Sequence, residues 1–147
     1  MNSASGLIAL AGRILLALIF VLAGYKQIWT TTAMVATMAS HGIPLPDILV
    51  YGAIVLELIG GLMLMAGLYA RWLAGALCLY TLALALIFHA YWAVPATEAR
   101  VEHGFFFGHL SMMGGMLMIV ALGAGPLSLG AWRRRDVVES GVGAGGP

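Results

Sequence analysis

The chain has 147 residues, of which 62% are hydrophobic and 9% are charged, and its formal net charge at pH 7 is +1. A typical soluble domain has about 25% charged residues, so this composition excludes a soluble globular protein, whose surface needs more polar side chains. The single cysteine, Cys78, excludes an internal disulfide, a CxxC redox pair and a cysteine-rich metal site.

Four apolar runs follow one another along the chain, at residues 7–24, 49–68, 72–88 and 105–123. A helix needs about 20 apolar residues to cross about 30 Å of hydrocarbon. Backbone polar groups in lipid must also be satisfied within their own segment, so runs of this length should be helices. The sequence therefore predicts an all-α integral membrane protein, a four-helix bundle forming a single domain over residues 1–130.

The first apolar run carries a charge, Arg13. Its helical face includes small residues and is shared by Ala17, Phe20, Gly24 and Gln27. A lone arginine at this depth costs at least about 2.5 kcal/mol on insertion scales. We therefore predict that Arg13 pairs with the carboxylate of the second run, Glu57, which suits the fork of a guanidinium.

The loop that follows, residues 25–48, is the longest and has a helical pattern of its own. Its apolar residues recur at helical spacing before a glycine and two prolines: Met34, Val35, Met38, Ala39, Gly42, Pro44 and Pro46. We expect a short interfacial helix that ends at the glycine. Two interpretations of this helix stay open, packing at the membrane surface and a lid over a pocket.

The second run contains Glu57 with no polar neighbour in sequence. Gly60, Gly61 and Leu64 lie on its helical face. Glycines in a transmembrane helix mark close contact between helices, so we expect Glu57 to face the interior of the bundle.

Each of the last two runs contributes a histidine near the outer leaflet. His89 ends the third run and shares a face with Cys78, Thr81 and Ala85, and His109 lies inside the fourth run on a face with Phe105, Phe106, Met112, Met113 and Met116. Because one polar residue comes from each helix, we predict one outward-facing interior site. The candidate catalytic residues are Glu57 and His89, and the candidate ligand-binding residues are Arg13, Glu57, His89, His109, Phe105 and Trp92.

Other roles for these residues stay open. The arginine and the glutamate could fix helix register, and each histidine could bond a carbonyl group or water. No H-x-x-x-H or E-x-x-H spacing occurs, so we expect no dedicated metal site.

Basic residues are distributed unequally between the two ends of the predicted bundle. Arg71 and residues 133–135, all arginine, lie at the end that holds the termini, whereas Lys26 and Arg100 lie at the other end. The positive-inside bias therefore predicts that both termini are cytoplasmic. Residues 131–147 form a basic stop followed by a glycine-rich tail with too little apolar content to pack, which we expect to be disordered.

Four stretches together resemble the DoxX-like membrane proteins: GRILLALIFVLAGYKQI (12–28), HGIPLPDIL (41–49), ELIGGLMLMAGLYARWLAGAL (57–77) and FHAYW (88–92). The resemblance covers about residues 7–130. It implies a four-helix protein of the inner or plasma membrane. Members of that family are linked to oxidoreductase systems, including thiosulfate-to-quinone electron transfer and resistance to quinones and catechols, and others to the maturation of partner proteins.

The leading hypothesis is a membrane subunit of an oxidoreductase system that binds a quinone or a similar small aromatic molecule. Whether the chain is itself an enzyme stays open, because it has no haem-attachment motif, iron–sulfur cysteine set or dinucleotide fingerprint, so a partner must supply electrons. We expect the lipid bilayer and a redox protein as partners and no nucleic acid, and homo-oligomerisation stays open.

The three hypotheses, a ligand site, a scaffold and a transporter, make different structural predictions. A ligand site predicts an apolar pocket that reaches Glu57 and His89. A non-catalytic scaffold or assembly factor predicts a filled interior in which Arg13 and Glu57 are paired. A small transporter predicts a path that continues past Arg13.

Overall fold

The computed structural model describes residues 3–133, which form four long helices joined by short turns. The helices are α1 (Ser3–Ser40), α2 (Pro46–Ala66), α3 (Ala70–Phe88) and α4 (Ala96–Leu122). Each is long and apolar enough to span a membrane, and residues 3–133 contain no strand. Because the connections are short, successive helices run antiparallel. The predicted all-α membrane bundle is confirmed.

Helix α1 is much longer than the first apolar run. It continues without interruption to Thr30, whose backbone angles (φ −116°, ψ 20°) are not helical, and then resumes. The part beyond Thr30, residues 31–40, is called the outer segment below. It corresponds to the predicted short helix between the first two spans, which is confirmed, although it follows directly from α1.

The turn between α1 and α2 contains the glycine and the prolines that the sequence analysis predicted to end the short helix. Gly42 has a positive φ of 71°, and the amides of Gly42 and Ile43 donate to Ala39 and Met38. These bonds satisfy carbonyl groups that a helix end would otherwise leave free. Pro46 begins α2, where its missing N–H costs nothing.

Helices α1 and α2 are in close backbone contact at two glycines. A Cβ placed on Gly24 would lie 2.7 Å from the backbone nitrogen of Leu58, and one placed on Gly61 would lie 3.0 Å from Cγ2 of Val21. Such contacts are possible only where a side chain is absent. The predicted close packing after Glu57 is confirmed at Gly61, whereas a Cβ on Gly60 would make only ordinary van der Waals contacts. The contacts at Gly24 and Gly61 fix the register of the helices.

A π-helical turn interrupts α2 between Val55 and Gly60, and Glu57 lies within it. Each π turn contains one residue more than an α-helix needs, and such turns occur often at functional sites. Both Glu57 and Gly60 are buried, so the wide turn faces the neighbouring helices.

The apolar core lies in the half of the bundle that contains the start of α1 and the segment after α4. Its buried members are Ala17, Phe20, Leu64, Ala70, Ala74, Leu77, Cys78 and Met116. Met116 is the buried residue of α4, which otherwise lies largely exposed along the side of the bundle. Helix α4 begins nine residues before the fourth apolar run, because polar residues such as Glu98 and Arg100 extend it beyond the apolar stretch.

The predicted basic stop is described only as far as Arg133, and residues 129–133 are helical. Arg134, Arg135 and the glycine-rich tail lie outside the described residues. The predicted domain boundary at residue 130 stays a prediction.

Candidate functional site

Glu57 is buried, with 3% of its surface exposed, and accepts hydrogen bonds from two other helices. The hydroxyl of Tyr80 on α3 donates to Oε1 at 2.7 Å, and Nε2 of Gln27 on α1 donates to Oε2 at 2.9 Å. A carboxylate in lipid needs donors of this kind, because an unpaired one carries a large desolvation cost. The three side chains, called the Glu57 triad below, tie α1, α2 and α3 together.

A cavity of about 670 Å³ extends from the Glu57 triad toward the end of the bundle that holds the outer segment. Its wall is mostly apolar and comes from the outer segment with the turn after it, α2 and α3. Besides the triad, the residues that line the cavity include Met34, Thr37, Met38, His41, Gly52 and His89. The outer segment therefore forms one side of a chamber.

The two histidines His41 and His89 lie at the outer end of the cavity. The ring of His41 contacts that of Phe88 across the cavity, with centroids 4.8 Å apart. His89 is half-buried, and its Nδ1 lies 2.7 Å from Oε2 of Glu102 on α4. His89 thus borders the cavity while bonding a carboxylate from α4.

Three predicted ligand residues, His109, Phe105 and Trp92, are not part of the cavity wall. The rings of His109 and Phe105 lie 4.8 Å and 5.1 Å from the His89 ring. Phe105 is 52% exposed, and Trp92, which packs on Tyr91, is 59% exposed. The predicted face of His109 is therefore divided: Phe105 lies on the outside of the bundle, whereas Met112 and Met113 pack against the core and Met116 is fully buried.

The predicted pair between Arg13 and Glu57 is wrong. Arg13 is buried, with 3% exposed, and donates to the backbone carbonyls of Met65 (3.2 Å), Leu127 (2.9 Å) and Ala124. These carbonyls belong to the end of α2 and to the segment after α4. Arg13 thus completes hydrogen bonds at a helix C-terminus, a position that favours a cation.

The register of α1 against α2 explains why the pair does not form. Gly24, which packs on Glu57, lies eleven residues beyond Arg13, or about 16 Å along the helix at 1.5 Å per residue. The prediction ended the first span at Gly24, whereas α1 continues well past it. The same register places Arg13 beside the end of α2.

A second cavity, of about 450 Å³, borders Arg13 at the terminal end of the bundle. It shares no lining residue with the first cavity within residues 3–133. Buried Ala17, Phe20 and Leu64 pack in the core between the Glu57 triad and Arg13. Arg13 and Glu57 therefore lie in separate environments.

Sequence reasoning missed the direct partners of Glu57. Gln27 lies on the predicted buried face of α1, three residues after Gly24, and this position indicated that its side chain faces the interior of the bundle. Tyr80 gave a weaker signal, since it precedes Thr81, which lies on the predicted interior face of α3. No sequence spacing links Glu102 to His89, because they lie on different helices.

Two buried polar atoms have no hydrogen-bond partner within the described part of the chain. They are Oε1 of Gln27 and Oγ1 of Thr81. Gln27 lines the cavity and is 8% exposed, whereas Thr81 is fully buried away from it. The Glu57 triad therefore leaves one acceptor of Gln27 without a donor, and that atom is itself buried.

Comparison with known proteins gives the family of this chain. The family model DoxX matches residues 8–90. The chain belongs to the DoxX family. The DoxX match spans α1, α2 and α3, which are the helices that line the cavity and supply the Glu57 triad.

A curated relative extends the likeness beyond the DoxX match. The chain is 30% identical over 128 residues to inner membrane protein YphA of Escherichia coli (strain K12), which covers 87% of this chain and 91% of the relative. No solved structure matches the chain.

Proposed function

We propose that this DoxX-family protein binds a quinone or a similar small aromatic molecule in the cavity, as the membrane subunit of an oxidoreductase system. The observation that carries the proposal is the apolar cavity of about 670 Å³ that ends on the Glu57 triad. Small-molecule sites are typically concave, about 300–1,000 Å³ in volume, and mostly apolar with a few polar groups that fix orientation.

The polar groups of the cavity suit a ligand that exchanges protons. Glu57 lies at the buried end of the cavity, and His89 lies at its outer end, where Glu102 bonds its Nδ1. A carboxylate and an imidazole are both general acid–base groups. On this proposal Glu57 receives or supplies a proton at the buried end of the ligand, and His89 exchanges protons with the aqueous surface.

The outer segment acts as a lid in this proposal. Met34 and Met38 contribute flexible apolar side chains to the cavity, which adapt to ligands of different shape. The contact between His41 and Phe88 joins the end of the outer segment to α3. The non-helical Thr30 supplies a hinge between the outer segment and the rest of α1.

Electrons come from a partner protein in this proposal, because the sequence contains no haem-attachment or dinucleotide motif and has one cysteine. The proposed location is the inner membrane, as in the YphA relative, with both termini in the cytoplasm on the basis of Arg71 and Arg133. The cavity then faces the side opposite the cytoplasm. A redox partner and a homo-oligomer remain part of the proposal.

A scaffold or assembly factor is the second candidate, and the hydrogen bonds of Arg13 to backbone carbonyls favour it. There a buried arginine serves to hold helix ends together. The open cavity at the other end favours the ligand site over a scaffold, whose interior is expected to be filled. A transporter is less favoured, because core residues pack between the two cavities.

The test is ligand binding to a variant whose cavity is filled. Gly52 lines the cavity, and a Cβ there meets nothing within 4 Å, so Gly52→Leu adds bulk to the chamber without a clash at the backbone. Gly108→Leu is the matched control, since Gly108 on α4 also has open space but does not border the cavity.

The measurement is calorimetric titration of short-chain ubiquinone and ubiquinol analogues in mild detergent. We expect saturable binding to the wild type and to Gly108→Leu, and at least tenfold weaker binding to Gly52→Leu. Equal heats in all three proteins would reveal partition of the ligand into detergent, and the ligand-site proposal would then be abandoned in favour of the scaffold. Glu57→Gln, which keeps the shape and removes the charge, is expected to weaken binding without emptying the cavity.

A further inference from the structure

The cavity that ends on the Glu57 triad occupies a space between the outer halves of α2 and α3. Nearer the turn that joins them, the two helices are in ordinary contact: a Cβ on Gly60 would lie 3.7 Å from Cδ2 of Leu73. At the next level Tyr80 bonds Glu57 across the helices. Beyond that bond, at Gly52, a Cβ would meet nothing within 4 Å. The helices therefore touch as far as the triad and are separated by the cavity beyond it.

Three elements form the walls of this space, namely α1 with its outer segment, α2 and α3. Within residues 3–133, no residue of α4 lines it. The outer segment covers the end of the space, where His41 contacts Phe88 at the end of α3. The side between α2 and α3 that faces away from α1 therefore has no described element across it.

Cavity residues on both edges of this side are exposed. Leu49 and Gly52 form the edge on α2, and Leu49 is 45% exposed. Ala83 and Ile87 form the edge on α3, and Ile87 is 41% exposed. The gap between these two edges is called the side opening below. Its deeper pair, Gly52 and Ala83, has small side chains that leave room between the helices.

The side opening extends to the depth of the membrane hydrocarbon. Helix α2 has 21 residues, a length that matches the thickness of that layer. Gly52 lies six residues after the start of α2 at Pro46, and Ala83 lies five residues before the end of α3 at Phe88. At 1.5 Å per residue, the two positions are about 7–9 Å inside the helix ends. Lipid chains therefore surround the side opening at this level.

We propose that the cavity opens sideways into the leaflet next to the outer segment, and that its ligand is a membrane-dissolved aromatic molecule whose hydrocarbon chain leaves through the side opening. The ring lies toward the Glu57 triad, and the chain passes between Gly52 and Ala83 into the lipid. A cavity of about 670 Å³ suits a drug-sized molecule, so a long chain has to extend out of it. This inference rests on the proposed function, because it requires an aromatic ligand in the same cavity.

The test uses a photoreactive probe, a decyl-substituted benzoquinone that carries a diazirine at the end of its chain. The full-length wild type in lipid nanodiscs is irradiated with the probe, and the adducts are located by mass spectrometry. We expect adducts on Leu49, Ala83 and Ile87, reduced at least fivefold by an excess of decyl benzoquinone without the diazirine. Adducts on the exposed face of α4, which come from probe dissolved in the lipid, should be insensitive to this competitor.

Ala83→Trp tests the side opening by obstructing it. We expect this variant to bind decyl benzoquinone at least tenfold more weakly than the wild type does. Leu79→Trp is the matched control, because Leu79 lies one turn away on the same face of α3, is exposed and does not line the cavity. Its affinity should stay within twofold of the wild type. If Ala83→Trp does not fold, the labelling of the wild type decides the inference alone.

The outcomes separate this inference from the proposed function. Saturable binding with competed adducts confined to Thr37, His41 or Ile43 would place the chain at the outer end, which overturns the side opening and leaves the ligand site intact. Unchanged affinity in folded Ala83→Trp, or adducts on α2 and α3 that the competitor does not reduce, has the same meaning. A failure of the probe to bind more tightly to the wild type than to Gly52→Leu overturns both proposals.

Discussion

Gly24 and Leu58 are in backbone contact: a Cβ on Gly24 would lie 2.7 Å from the backbone nitrogen of Leu58 and 3.0 Å from Cβ of Glu57. The hydrogen on the Gly24 α-carbon is therefore all that separates the two helices at this level. One turn further along α1, Gln27 reaches Glu57 with its amide. The glycine thus determines the distance over which the Glu57 triad forms.

The first prediction concerns this contact. Gly24→Ala should destabilise the protein by about 1–3 kcal/mol, because an added methyl group must push the helices apart. Gly12→Ala is its control on the same helix, since a Cβ at Gly12 meets nothing within 4 Å and alanine favours the helix by up to about 1 kcal/mol. The measurement is unfolding by denaturant titration in detergent. Equal stability of the two variants would show that the contact can relax without cost.

The second prediction concerns Arg13. Arg13→Met should lower the free energy of unfolding by about 2–4 kcal/mol, since each buried carbonyl left without a donor costs about 1–3 kcal/mol and water reaches some of them. Arg71→Met, at an exposed arginine of the same end, should change stability by less than about 0.5 kcal/mol. Thermal unfolding in detergent measures both.

Binding distinguishes the role of Arg13 further. Ligand affinity of folded Arg13→Met should equal that of the wild type, because Arg13 does not border the cavity. Weaker binding by this variant, at a temperature where it is folded, would connect the two ends of the bundle and contradict the separation described above.

The third prediction separates backbone strain from steric overlap. Gly67 and Gly42 both have positive φ, 76° and 71°. A Cβ on Gly67 would lie 2.4 Å from Cβ of Ser128 and 3.1 Å from Cζ of Arg13, whereas Gly42 has open space. Gly42→Ala should therefore cost about 1 kcal/mol, and Gly67→Ala should cost about 1–3 kcal/mol more. Comparable thermal midpoints for the two variants would contradict the close contact at Ser128.

The fourth prediction is a coupling energy within the Glu57 triad. The single variants Glu57→Gln and Tyr80→Phe and the double variant form a mutant cycle around the 2.7 Å hydrogen bond. Because the two groups are in direct contact, their effects on stability should be non-additive by about 0.5–3 kcal/mol. Additive effects would indicate that the hydroxyl and the carboxyl group do not interact in the folded protein. The cycle is measured by denaturant titration in detergent.

Local patterns predicted the fold well because each helix carries its own signals. The face shared by Arg13, Ala17, Phe20, Gly24 and Gln27 is the buried face of α1. The glycine and prolines after residue 41 end one helix and begin the next. Apolar length, helical period and turn residues are encoded within a few residues of sequence, so a single chain is enough to identify them.

The candidate site was predicted only in part because side-chain partners depend on how helices align. Glu57 and His89 both border the cavity, yet Arg13 lies near the opposite end. The register that separates them is set by the contacts at Gly24 and Gly61. The sequence of neither apolar run indicates which residue of the neighbouring helix each glycine contacts. A helical face predicts the side of the helix on which a residue lies, whereas predicting a pair also requires the depth of both residues along their helices.

The π turn at Val55–Gly60 places one residue more in this stretch of α2 than an α-helix would. One residue in an α-helix corresponds to a rotation of about 100° about the axis, so an extra residue without such a turn would rotate one part of the helix against the other. The wide turn absorbs the extra residue locally, so the part that carries Leu49 and Gly52 and the part that carries Gly61 and Leu64 keep the direction of one continuous helix. Deleting one residue there would therefore narrow the turn at the level of Glu57, at the buried end of the chamber, and leave the helix on either side of it in place.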